Sequence, residues 1–203
     1  PFKLSIIRFL FNMSLRRASL IIAPSTQLRD FCINWGVPPQ KIEIIYNCVD
    51  SSRFFPKNGI HHKNIDLVTV CRLVPWKGLE ELIFTCSKYD LNLTIIGSGP
   101  LLIELKNLVE ELKAKVQFVG ELTNEEILVY LQNAKIFILN SSYEATSYAL
   151  LEAKMAGATV LARNSSGSSE VINSGVDGLL FHPEKGDSLE FSILALLNND
   201  EFS

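Results

Sequence analysis

Two glutamates in one short run set the chemistry that this chain could perform. They are Glu144 and Glu152 in Ser142-Tyr143-Glu144-Ala145-Thr146-Ser147-Tyr148-Ala149-Leu150-Leu151-Glu152-Ala153. With a helix starting near Thr146 or Ser147, Glu152 lies well inside it. Its helical neighbours three and four positions away are Tyr148, Ala149, Met155 and Ala156, none of them a cation. A carboxylate on a small, apolar helix face needs a partner from another segment or from a hydroxyl-rich ligand. A helix running through all eight positions would separate the acids by roughly 12 Å of axis. Glycosidase carboxylate pairs sit about 5–9.5 Å apart, so the spacing suits two grips on one long ligand better than shared acid–base work.

Cations come from Arg72-Leu73-Val74-Pro75-Trp76-Lys77-Gly78. Arg72 and Lys77 flank a turn that leads into a helix. A helix start together with Arg and Lys suits a phosphate or diphosphate, although two surface charges around a turn would look the same. Gly97-Ser98-Gly99-Pro100 reads either as a tight strand-to-helix turn or as backbone that approaches a ligand closely. Glu121 follows about 20 residues on, as in nicotinamide dehydrogenases. However, Leu102 stands where the dinucleotide fingerprint has its third glycine, and Pro100 removes an N–H. Gly120-Glu121-Leu122 offers backbone that could receive a planar base. Small residues Ala145, Thr146 and Ser147 leave N–H groups at a helix start for a ligand oxygen. In Gly167-Ser168-Ser169-Glu170-Val171 a valine replaces the second glycine of a serine-nucleophile elbow. No histidine partner is evident either, which disfavours hydrolysis. Glu170 reads as an acid in the first turn of a short helix near 168–173.

These loops need a frame. Short Val/Ile-rich strands (66–71, 91–96, 116–119, 135–139, 159–162) alternate with helices (78–89, 100–113, 124–133, 146–156, 186–198). The pattern predicts a doubly wound α/β fold with a parallel sheet covered on both faces. Such sheets bind ligands beyond the carboxyl ends of their strands, which is where every loop above falls. Upstream, residues 2–17 read as a helix and 20–23 as a strand. Ser25 N-caps a helix that runs to Trp35, and 42–46 form a strand. The polar stretch 57–64 is the candidate domain boundary.

Composition narrows the rest. The chain has 203 residues, is 47% hydrophobic and carries a net charge of -3, enough for one core and part of a second. No basic run points to nucleic acid. Cys32, Cys48, Cys71 and Cys86 lack CxxC spacing and read as free thiols in a reducing, cytoplasmic setting. His61, His62 and His182 make no zinc pattern, and no run of apolar residues is long enough to span a membrane. For the apolar, partly basic 2–17 helix, packing against further protein is the first expectation. Peripheral contact with an anionic membrane face is the second. Opening on Pro1 and closing on Ser203, the chain reads as a piece of a longer protein.

In order, the motifs are Asn47-Cys48-Val49-Asp50…Phe55-Pro56, Arg72–Gly78, Gly97–Pro100, Glu144-x7-Glu152-Ala153 and Gly167-Ser168-Ser169-Glu170…Gly175-Val176-Asp177-Gly178. That order resembles the retaining, nucleotide-sugar-dependent glycosyltransferases of family 4, with the GT-B fold. The resemblance implies that 1–50 are the last elements of an N-terminal acceptor domain plus linker. Residues 51–203 would be a Rossmann-like donor domain, truncated at its C-terminus. Arg72 and Lys77 would hold the donor diphosphate, and Glu144 the sugar hydroxyls, helped by backbone of Ala145, Thr146 and Ser147. Glu152 would hold the ribose, while Gly97 and Gly99 would line the nucleotide cleft, beside which Glu121 is a further donor-binding candidate. It also implies no metal or other cofactor and a front-face mechanism, with the acceptor bound mainly by the domain that precedes. Ala145-Thr146 stand where the family often has Gly and an aromatic, which bears on the sugar chosen. A GT-B sugar-nucleotide epimerase and a non-catalytic nucleotide-sugar module are the alternatives.

Overall fold

A computed structural model describes residues 2–50, 64–165 and 167–198, with side chains from Phe9 onward. The chain divides into two compact units, Pro1–Asn47 and Cys48–Ser203. Most of the stretch 57–64, and with it Phe55-Pro56 and His61-His62, lies outside the described residues.

In the first unit, α1 (Phe2–Arg17) is followed by β1 (Ile21–Ala23), α2 (Thr26–Asn34) and β2 (Ile42–Ile44). The two strands pair in parallel, Ile21 against Ile42 and Ala23 against Ile44. Ser25 caps α2, its hydroxyl accepting from the Leu28 N–H at 3.2 Å. Lys41 donates to the Arg16 and Ala18 carbonyls at 3.2 and 3.0 Å, a cation placed where the dipole of α1 favours it.

The second unit carries β3 (Ile65–Val70), α3 (Leu79–Lys88), β4 (Leu93–Ile96), α4 (Leu102–Leu112), β5 (Val116–Gly120) and α5 (Asn124–Asn133). Next come β6 (Ala134–Leu139), α6 (Tyr148–Met155), β7 (Thr159–Arg163), β8 (Leu179–Phe181) and α7 (Leu189–Leu197). The strand order is β5-β4-β3-β6-β7-β8, every pair parallel. This is the predicted doubly wound sheet. Alternate residues of β6 show why it needs two covers. Ile136 and Ile138 pack in one core with Leu82 and Ile83 of α3, Leu105 of α4 and Ile193 of α7. Phe137 and Leu139 pack in the other with Ile127 and Leu131 of α5 and Leu150 and Ala153 of α6.

Three readings are corrected. Leu179–Phe181 is a sixth strand, pairing Leu161–Arg163. Residues 167–171 form successive turns, with Val171 and Ile172 N–H groups both donating to Ser168 O, so Glu170 lies in a turn and not in the first turn of a regular helix. Helix α6 starts at Tyr148, so Glu144 lies in a loop and the roughly 12 Å helical spacing does not apply.

The order of the strands fixes where chemistry can occur. The chain winds outward from β3 to β5, returns to β6 beside β3, and winds outward the other way. The helices after β3 and β6 therefore cover opposite faces of the sheet, and the two loops meet across the crevice at the strands' carboxyl ends. The turns of the opposite rim enter β4, β5 and β7. Asp90 and Lys113 adopt positive φ there, 55° and 52°.

Candidate functional site

The loop after β3 is anchored by its apolar residues. Leu73 and Val74 are buried, whereas Arg72 is exposed on the same loop. Pro75–Lys77 then form a 3-10 turn, with proline supplying the φ that the first position needs. Gly78, at φ +62°, reverses the backbone into α3. This puts Lys77 beside the loop after β6. Its ammonium meets the Glu144 carboxylate at 2.6 Å, the two side chains 14% and 15% exposed. The sequence separates them by 67 positions.

The β6 loop is tied down from both ends. Ser142 donates to the Trp76 carbonyl through its N–H at 2.9 Å and its hydroxyl at 3.3 Å. On the far side the Gly167 N–H donates to the Glu144 carbonyl at 2.9 Å. A Cβ at Gly167 would stand 2.4 Å from the Ala145 carbonyl oxygen and 2.6 Å from that of Glu144. Thr146 donates to the Ala145 carbonyl at 2.7 Å. The buried hydroxyl of Ser147 accepts from Leu150 N–H at 3.3 Å, so its oxygen serves as the cap of α6.

The two glycines after β4 are explained by the neighbouring loop. Gly97 has φ +128°, and a Cβ there would lie 2.1 Å from the Cys71 carbonyl oxygen. One at Gly99 would lie 2.4 Å from that of Leu73. Leu73 N–H donates to Ser98 O at 2.8 Å, and Leu101 N–H to Leu73 O at 3.2 Å. A bulge in the β4–β5 pairing brings Gly120 opposite Ile96, and Gly97 N–H donates to Gly120 O at 2.7 Å. These contacts shape an open cleft of about 580 Å³. Arg72, Gly97, Gly99 and Glu121 line it together. Glu121 is exposed and accepts a hydrogen bond from the Ser98 hydroxyl. Cys71 lines the same cleft, but burial pushes its thiol up to about 11, so it stays protonated near neutrality and is no nucleophile.

Glu152 stands apart from these pairs. It is half-buried on α6, and no described residue gives its carboxylate a hydrogen bond or an ion pair. Desolvation alone raises its pKa above the ordinary 4.5.

The sequence reading missed Asn140, which donates to Gly78 O and Glu81, and Ser142, which donates to Trp76 O, as parts of the site. Their one signal was a run of three polar residues directly after a fully apolar strand end. Among the described residues no three His, Cys, Asp or Glu side chains cluster as a metal site, and no helix is long and apolar enough to cross a membrane.

A doubly wound parallel sheet of this kind is shared with glycosyltransferases of the GT-B class. Residues 50–203 match the family model of the glycosyl transferases group 1, and residues 1–53 that of glycosyltransferase family 4, so the chain belongs to this family. One component of the human phosphatidylinositol N-acetylglucosaminyltransferase is 32% identical over 171 residues, covering 80% of this chain and 35% of that protein. A Campylobacter jejuni N-acetylgalactosaminyltransferase, which acts on an N-acetylgalactosamine-N,N'-diacetylbacillosaminyl-diphospho-undecaprenol, is 30% identical over 202 residues. That match covers 96% of this chain and 55% of the enzyme. Anabaena HepE, solved in complex with UDP and glucose, superposes with a TM-score of 0.84 at 23% identity, covering 96% of this chain and 58% of HepE. The chain thus spans about a third to a half of the curated relatives' length.

Proposed function

We propose that this chain is the donor-binding part of a retaining glycosyltransferase, which moves a hexose from a nucleoside diphosphate sugar to an acceptor hydroxyl. The observation that carries the reading is the Lys77–Glu144 pair at the switch-point crevice, with exposed Arg72 on the same loop. Charge builds on the leaving diphosphate as the glycosidic bond breaks. Arg72 and Lys77 are two permanent cations on one anchored loop, which stabilise that charge without a metal ion. Glu144, oriented by Lys77, accepts from sugar hydroxyls, and the backbone of Ala145 and Thr146 borders the same position. The desolvated Glu152 carboxylate gains most from two donors, which the vicinal hydroxyls of a ribose supply. The cleft beside Gly97, Gly99 and Glu121 takes the base. No nucleophile of the protein enters the reaction, and the acceptor attacks on the face that the leaving group vacates. The acceptor is held by the remainder of the enzyme. The two relatives are named for a phosphatidylinositol and a diphospho-undecaprenol substrate, which supports a lipid-linked acceptor met at the cytoplasmic membrane face.

Titration of the chain with UDP-, GDP- and ADP-hexoses, with and without EDTA, tests donor binding by calorimetry. One donor is expected to bind, equally well with chelator, and Arg72→Ala or Glu152→Ala should weaken it about 10- to 100-fold. Turnover by the full-length protein should yield nucleoside diphosphate and a glycoside of unchanged anomeric configuration. Binding of none of the donors overturns the reading. Release of an altered sugar nucleotide without acceptor would replace it with an epimerase.

A further inference from the structure

We propose that Asn140 is a positioning residue for Lys77, locking the end of the cation loop to the start of the acid loop. The inference rests on the donor-binding reading of that pair and names a residue which that reading does not use. Asn140 is the first residue after β6 and only 2% exposed. Its side-chain nitrogen donates to the Gly78 carbonyl and to the Glu81 carboxylate, both at 2.9 Å. Two acceptors on one nitrogen fix the amide, because the flipped form would set oxygen against a carbonyl and a carboxylate. The fit is close on the other side too. A Cβ at Gly78 would stand 2.6 Å from Asn140 Nδ2 and 2.7 Å from its carbonyl oxygen.

Lys77 is therefore bracketed. The carbonyl before it, on Trp76, accepts from Ser142 N–H at 2.9 Å. The carbonyl after it, on Gly78, accepts from Asn140. The shorter Ser142 contact is made by its backbone N–H, which any residue but proline could provide, and its hydroxyl adds a longer bond at 3.3 Å. The Asn140 contact is made by a side chain, so it is the half of the bracket that the sequence can set or remove. Packing does not explain an asparagine here. Its Oδ1 is buried with no hydrogen-bond partner, a desolvation cost that the two bonds from Nδ2 must offset. A residue that keeps an unsatisfied oxygen in order to place two donors is being used for geometry.

The test uses full-length protein with Asn140→Leu, Asn140→Ala and the control Glu111→Gln, an exposed residue of α4 outside the site. The activity-independent readout is acylation of the Lys77 amine by an N-hydroxysuccinimide ester across pH, followed by peptide mass spectrometry. Both Asn140 variants should acylate Lys77 at least about fivefold faster than the parent, and Glu111→Gln at the parental rate. In turnover, kcat should fall about 10- to 100-fold with donor KM little changed. In a Lys77→Ala background, Asn140→Leu should cost less than about twofold more. Where Asn140→Leu fails to fold, Asn140→Ala, smaller and also without the donors, decides the question. Parental Lys77 reactivity in the folded variants, or full additivity with Lys77→Ala, overturns the inference. Arg72→Ala and Glu152→Ala are run alongside. If they keep full turnover, the donor-binding reading fails, while Lys77 reactivity still judges Asn140.

Discussion

Glu144 and Glu152 are the same residue type, eight positions apart, in opposite electrostatic situations. Glu144 lies in a loop, faces the Lys77 ammonium at 2.6 Å, and has its backbone held by Gly167. Glu152 lies on a regular helix, half-buried among small and apolar neighbours, with its carboxyl pKa raised by desolvation. The loop acid has its charge compensated by protein and its direction fixed. The helix acid has its position fixed and its charge uncompensated by any described residue. Where a single ligand engages both, Glu144 contributes orientation and Glu152 contributes unspent acceptor capacity.

The largest expected effect comes from making Glu144 resemble Glu152. Lys77→Met keeps the stem and deletes the charge. It should destabilise the chain by about 1–3 kcal/mol in urea unfolding, since the acid left behind is largely buried. Turnover of the full-length enzyme should fall about 10²- to 10³-fold. The Glu144 methylene shifts, followed by carbon-detected NMR at one pH, should then move, and unmoved shifts would collapse the comparison. Next comes displacement of the loop acid alone. Gly167→Ala drives a methyl into the Ala145 and Glu144 carbonyls and should cost about 1–3 kcal/mol. Chemical shifts at Ala145 and Thr146 should move while those around Glu152 stay. Equal shifts at both would show that the two regions are not separable.

Two smaller effects probe the helix acid. Its pKa is raised in the folded state, so folding takes up protons there. The ionised group therefore costs stability as pH rises above 4.5, and the cost vanishes below it. Glu152→Gln should match the parent at acidic pH and exceed its Tm by about 1–3 °C at neutral pH, while donor binding weakens. A variant less stable than the parent at pH 7 would show that the carboxylate is compensated after all. The smallest effect should come from giving Glu152 a cation one turn away. Met155→Lys should return its titration toward the ordinary value and add about 0.3–0.5 kcal/mol. Donor affinity should fall at the same time, because the acceptor is then engaged.

Local pattern carried most of the fold. Short apolar strands, the Ser25 cap and the glycine-ended helix α2 all follow from neighbours within a few residues. Arg72, Gly97, Gly99 and Glu121 were likewise visible as candidates because each sits in a loop after a strand, and the topology brings those loops to one cleft. What escaped reading depends on residues far apart in sequence. The Lys77–Glu144 pair, the Asn140 bracket and the bulge that turns Gly120 toward Gly97 exist only once the sheet order is set. The start of α6 was read as near Thr146 or Ser147, and the structure caps the helix at Ser147. Only the bond from Leu150 N–H to Ser147 distinguishes them.

The uniform direction of the sheet has a practical corollary. Every βα loop leaves by the same rim, so the turns that enter β4 and β5, at Asp90 and Lys113, are remote from the cleft and crevice. Both residues already hold a backbone conformation that glycine adopts without strain. An affinity tag, a fluorescent reporter or a spacer grafted at either turn would perturb local packing and leave the ligand rim untouched. The chain has, in effect, a working side and a side that can be engineered.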